Sequence, residues 1–187
     1  MNNEEIAIAA RRALADFGSR LDARLITRDD DTPYLWRGYL TDVKNEQDSN
    51  AFLHRFVSSD DVGLLHCHPW ISSISFILLG EYRETASVGE NALQHDVDHA
   101  KADAWKVLQP PVTTIYRPGM KNIIKANTFH RVELLTPEVW TLFIHGPRVQ
   151  PWGFVKEGSY GVPLEMRVVH GKTSEARPKG IMVEEIK

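Results

Sequence analysis

The chain has little cysteine: Cys67 is the single one among 187 residues. No internal disulfide can form, so a reducing cytoplasm is the expected compartment. Long hydrophobic runs are missing too. None approaches the ~20 residues that span a bilayer, so no membrane partner is expected. The opening Met-Asn-Asn-Glu-Glu is acidic and lacks the apolar core of a signal peptide. Neither charge sign dominates, since the formal net charge is −3. That balance leaves no electrostatic footprint for nucleic acid. No segment repeats, which argues against two fused copies of one unit.

What is present fits a single globular domain rich in strands. Hydrophobic residues make up 42% of the chain, and five tryptophans and ten prolines suit a β-rich domain with many turns. Asn2 with Glu5 three residues on resembles a capping box. Ile6, Ala10, Leu14, Phe17 and Leu21 then recur at helical spacing, which predicts a helix within residues 1–25 that packs one face on the rest. Short strand-like runs follow at 34–40, 62–68, 72–79, 81–86, 113–117, 122–125, 130–135 and 140–145, with a further one at 165–169. Pro69-Trp70, Gly80, Pro118-Gly119, Asn127 and Pro137 punctuate them. The expected fold class is all-β, a double-sheet barrel over residues 33–170 with the helix outside. The polar stretch 89–111 reads as an insertion, and 171–187 as an extended tail.

The chemistry concentrates in Gly63-Leu-Leu-His-Cys-His-Pro-Trp70. On a strand, His66 and His68 point to the same side and can share one metal ion, while Cys67 points away. His130, in Asn127-Thr-Phe-His-Arg-Val-Glu-Leu134, opens another strand-like run and is the candidate third ligand. Neutral nitrogen donors suit a divalent first-row metal, whether iron, zinc, nickel, copper or manganese. His95 and His99, four apart in a polar stretch, read as solvated. His54, His145 and His170 show no partner pattern.

These residues carry a resemblance. His66-Cys-His68 with Gly80 resembles the first motif of the cupin superfamily, and the run from Gly119 to His130 resembles the second. A narrower likeness, to a group of bacterial and phage cupins, lies in His68-Pro-Trp70, Gly80-Glu-Tyr-Arg-Glu84, Trp140-Thr-Leu-Phe-Ile-His-Gly-Pro-Arg148 and Trp152-Gly-Phe154. The resemblance implies a jelly-roll barrel, pairing of subunits into a homodimer, and a metal held by His66, His68 and His130. Asn127 stands near where the family has a glycine, and it is expected to take the left-handed turn conformation. The family's usual glutamate ligand falls at Ser73, so a three-histidine site is expected, with Ser73 lining it.

Three neutral ligands leave the ion's charge for an anionic small-molecule substrate to balance. The resemblance then implies an Fe(II) dioxygenase. A non-redox isomerase or lyase and a non-enzymatic ligand-binding cupin are the alternatives. Tyr82, Glu84 and Ser73 are the candidate catalytic residues. Arg83, Arg117 and His145 are the candidate substrate contacts, since guanidinium matches a carboxylate. Arg131 and Glu133 lie on one strand face and are expected to pair.

Overall fold

The computed structural model describes residues 2–28, 30–41, 48–89, 108–150, 152–158, 160 and 167–168. Helix α1 (Asn3–Gly18) starts at the expected capping box. The Asn2 side chain accepts from the Glu5 N–H at 2.9 Å, and the Glu5 carboxylate accepts from the Asn2 N–H at 2.8 Å. The buried stripe of α1 differs from the apolar periodicity. Leu14 packs inward, as does Leu21 just beyond the helix, but Ile6 and Phe17 are half exposed. The shielded positions of the helix are Ala10 and Leu14, as expected, with Arg11, Ala15 and Gly18. On this side Arg11 turns toward Glu138, which Arg55 also grips at 2.6 Å.

Among the described residues twelve strands follow: β1 (Ala23–Thr27), β2 (Pro33–Tyr39), β3 (Asn50–Phe56), β4 (Leu64–Cys67), β5 (Ser72–Leu79), β6 (Tyr82–Val88), β7 (Val112–Tyr116), β8 (Lys121–Lys125), β9 (Thr128–Leu134), β10 (Val139–His145), β11 (Gly153–Lys156) and β12 (Arg167–Val168). They form two six-stranded antiparallel sheets, ordered β1-β2-β3-β10-β5-β8 and β12-β11-β4-β9-β6-β7. This is the double-sheet barrel expected from the sequence. Three of its strands, β1, β3 and β11, were not expected, and β1 precedes residue 33, where the barrel was expected to begin. None of the described helices is long and apolar enough to cross a membrane. Residues 90–107 and 171–187, with His95, His99 and His170, lie outside the described residues.

Alternation along the strands sorts side chains to two faces. Trp36, Leu53 and Trp140 point out of the first sheet and are covered by α1 through Leu14. Leu65, Cys67, Phe129 and Val155 point out of the second sheet and are capped by Leu108 and Tyr160. Between the sheets lie Phe52, Trp70, Ile124 and Phe143, and beside them Ile77, Tyr82 and Val139. Gly80 makes the β5–β6 turn at φ +79°, and a Cβ there would collide with the Glu138 carbonyl. Asn127, by contrast, does not take the left-handed conformation expected of it. It holds its turn by hydrogen bonds with the Gly89 backbone, accepting from the Gly89 N–H at 2.9 Å.

Candidate metal centre

Strand β4 runs antiparallel to β9 with His66 directly opposite His130. His68 follows His66 by two residues, so it leaves the same face just past the end of β4. Pairing and alternation thus bring together three imidazoles from two distant segments. One ligand nitrogen from each of His66, His68 and His130 lies within 4.8 Å of the others. The Nε2 atoms of His68 and His130 are 2.9 Å apart. Two nitrogens, each ~2.1 Å from one ion, stand roughly 3 Å apart when they meet it at about a right angle. The observed spacing therefore fits neighbouring positions around one divalent ion.

Protonation favours the ligand form. Burial holds His66 down at about 4 against the pull of Asp60. Burial likewise pushes His68 well below the ordinary imidazole value, and the nearby charges of His130, His66, Arg37 and His54 act the same way. Neutral imidazoles are what a metal requires. The rings are fixed from the side as well: His68 stacks on Trp70 at 5.4 Å and His66 on Trp152 at 5.7 Å.

Behind the ligands stands a polar shell. The Glu84 carboxylate accepts from His130 Nδ1 at 2.6 Å and from Asn122 Nδ2 at 2.7 Å. Burial alone would raise the Glu84 carboxyl, but the hydrogen bond and electrostatic attraction of His130, helped by the Asn122 bond, prevail and hold it below its usual range. Tyr116 donates to Asn122 Oδ1, and Asn122 Nδ2 also reaches the Tyr82 hydroxyl at 3.3 Å. Asp60 lies 3.7 Å from His66 Nδ1, while it accepts from Tyr34 and from the Val132 N–H. A carboxylate behind a ligating histidine fixes its tautomer and orientation.

The triad opens onto a cavity of about 860 Å³ between the sheets. Leu35, Phe56, Ile124, Phe143 and Trp152 supply apolar walls, and Arg37, His54, Ser75, Tyr82 and Asn122 supply polar ones. The sequence candidates divide here. His66, His68, His130 and Tyr82 line the cavity, and Glu84 touches His130 from behind. Ser73 is buried with its hydroxyl unpartnered, but the cavity wall is formed by Ser75, two residues on.

Arg83 and Arg117 do not reach the cavity. Arg83 pairs with Glu133 at 3.0 Å and Arg117 with Glu81 at 3.4 Å, all partly exposed on the outside of the barrel. Arg131 correspondingly pairs with Glu157 and not with Glu133. His145 is buried against Trp70, with ring centroids 4.0 Å apart, and its Nδ1 contacts the Gly146 carbonyl. It is absent from the cavity wall.

Arg37, His54, Asp60, Ser75 and Asn122 are cavity residues that escaped sequence reasoning. A signal existed for Arg37 and His54. Leu35, Arg37 and Tyr39 alternate on β2, and Phe52, His54 and Phe56 alternate on β3, so each polar side chain shares a face with apolar ones.

No family model and no curated protein matches this chain. Among solved structures, hydroxypropylphosphonic acid epoxidase from S. wedmorenis aligns with a TM-score of 0.43 at 10% identity, over 66% of this chain and 55% of that one. A predicted oxalate decarboxylase from Thermotoga maritima gives 0.46 at 14%, over 70% and 96%. The cupin domain of Schizosaccharomyces pombe Cnp3 gives 0.39 at 14%, over 60% and 61%. The chain spans just over half the length of the epoxidase. At these scores the chemistry of the site has to be argued from this chain's own side chains.

Proposed function

We propose that this double-sheet barrel, a cupin by fold, holds one divalent ion on His66, His68 and His130 and acts as a metal-dependent enzyme on a small anionic molecule. One observation carries the reading: the imidazoles of His66, His68 and His130 converge within 4.8 Å on the wall of a large cavity. Fe(II) and a dioxygenase reaction are the specific form we favour. With no carboxylate among the ligands, a divalent ion keeps its full charge and draws an anion toward it. Such an ion supplies redox chemistry with dioxygen and an electrophilic centre.

The chain's own residues do the rest. Glu84 orients His130 through its Nδ1, and Asn122 keeps Glu84 in place. Tyr82 presents a phenol held protonated by burial, with Glu84's negative charge acting in the same direction. It therefore serves as a hydrogen-bond donor at neutral pH. Phe143, Trp70 and Trp152 give the cavity apolar surface beside the ligands. The non-redox isomerase or lyase reading needs a free general base. Tyr82 is held protonated and Glu84 is committed to His130, so the cavity offers that reading less.

The test is metal analysis of protein purified without a histidine tag, with His66→Ala and His130→Ala alongside. The unchanged chain should carry about one equivalent of a divalent metal, as a single mononuclear centre requires, and both variants should lose it. Iron reconstitution should then give oxygen uptake with a small organic acid or thiol. Metal-free protein that neither takes up iron nor consumes oxygen would sink the proposal.

A further inference from the structure

The geometry points to Arg37 as the receptor for the substrate's anionic group, and to a monocarboxylate on an apolar body as the substrate class; this rests on reading the cavity as a substrate site. Arg37 lies on β2, in the sheet opposite the histidine triad, and lines the cavity. Its Nε donates to His54 Nε2 at 3.1 Å, and its guanidinium lies 4.8 Å from the Phe52 ring centre. Among the described residues, no carboxylate pairs with it, and its two terminal nitrogens make no hydrogen bond.

The other charged groups of the cavity are accounted for. Arg28 pairs with Asp61 and also bonds to Ser58 and the Ser59 carbonyl. Asp60 accepts from Tyr34 and Val132. Asp30 bonds with Thr32 at the exposed mouth, and Lys156 is exposed at the rim. Among the described residues that line the cavity, Arg37 is the inward cation whose charge has no partner; Arg24, opposite it on β1, also has a buried Nε without one but is not part of the cavity lining.

An enclosed guanidinium without a carboxylate is costly unless something anionic meets it. Its free edge presents two parallel N–H donors, the geometry that a planar carboxylate matches. Distance from the triad sets the ligand's size. Phe143 lies between the two walls, 5.0 Å from His54 and 5.7 Å from His68 between ring centres. A molecule about one aromatic ring across thus reaches from Arg37 to the metal side. Leu35, Ile124 and Phe143 favour an apolar body. With Arg28 paired to Asp61, Lys156 exposed at the rim and Asp60 on the same cavity, Arg37 favours one negative charge over two.

Benzoate and its neutral analogue benzamide are the probes, titrated into chelator-treated protein and followed by the fluorescence of Trp70 and Trp152. The unchanged chain should bind benzoate at least about tenfold more tightly than benzamide, the scale of a charge-assisted hydrogen bond. Arg37→Gln should abolish that preference. Arg83→Gln, which alters an ion pair outside the barrel, should leave it intact. Should Arg37→Gln not fold, Arg37→Lys serves instead: a point charge in place of the fork should weaken benzoate severalfold. Equal binding of the two probes by the unchanged chain would overturn the inference. So would benzoate binding that needs added zinc and ignores Arg37→Gln, or an Arg37→Lys variant that binds like the unchanged chain. Intact benzoate preference in a chain that takes up no metal would support the inference while removing the proposed metal chemistry.

Discussion

Removing Glu84 should weaken metal binding without touching a ligand. Its carboxylate is 4% exposed and accepts hydrogen bonds of 2.6 Å from His130 and 2.7 Å from Asn122, both at Oε1. Losing an outer partner of a metal-bound histidine costs roughly 10–100-fold in affinity, about 1.4–2.7 kcal/mol. Two variants should divide that range. Glu84→Gln keeps an acceptor oxygen for both donors and loses only the charge, so about tenfold is expected. Glu84→Ala removes the acceptor and leaves two buried donors unpaired, so the loss should approach ~100-fold. Competition for zinc against a chromophoric chelator measures this, since zinc is redox-inert. Glu133→Gln, on the outer face of β9, is the control. If Glu84→Ala binds zinc within about twofold of the unchanged chain while its melting curve is preserved, Glu84 does not tune His130 and the argument fails.

Two further outcomes follow from buried groups. Glu138→Gln should cost about 1–2 kcal/mol near neutral pH, allowing for the solvent that reaches the Arg11–Glu138–Arg55 cluster. Burial pushes the Glu138 carboxyl up, but the bonds from Arg55 and Arg11 outweigh it and set it below 4.5. Its contribution is therefore complete above that unfolded value and fades as pH falls through the lower folded one. Urea melts of the two proteins should converge as the pH falls through the folded value, and a gap that persists once the carboxyl is protonated would refute the assignment. Cys67 is fully buried and its thiol is pushed up to about 11 by burial. Iodoacetamide should leave it unmodified in the native protein and label it in denaturant; rapid native labelling would contradict its position.

The metal wall was legible in the sequence because its signals are local. Spacing of two put His66 and His68 on one face and Cys67 on the other, and Gly80 sits where only a glycine fits the turn. The alternation Tyr82, Arg83, Glu84 even contained the reason Arg83 fails as a substrate contact. Once Tyr82 and Glu84 face inward, Arg83 must face out. Choosing among arginines needs the barrel closed, and closure depends on β1 and β3, which went unread. Strand β3, Asn-Ala-Phe-Leu-His-Arg-Phe, buries both faces: Phe52 and His54 inward, Leu53 under α1. Such a strand loses the clean alternation that marks a half-exposed one. The helix phase was misjudged for a related reason. Hydrophobic spacing does not count a partly buried ion pair: Arg11 reaches Glu138 while Ile6 and Phe17 stay half exposed.

The single register contact between β4 and β9, His66 against His130, bears on how the chain folds as well as on what it binds. Parallel or shifted pairings of short strands are easily sampled, and a slip of one residue would turn the whole inner face outward. Here a slip of one would set Cys67 or Leu65 against His130 and scatter the nitrogens. An ion that needs all three imidazoles binds only the native alignment, and by mass action it draws the population toward that alignment. The ligand set would then act as a proofreader of strand register. Misaligned chains would be those that fail to retain metal, and metal supplied during refolding should raise the yield of correctly closed barrels.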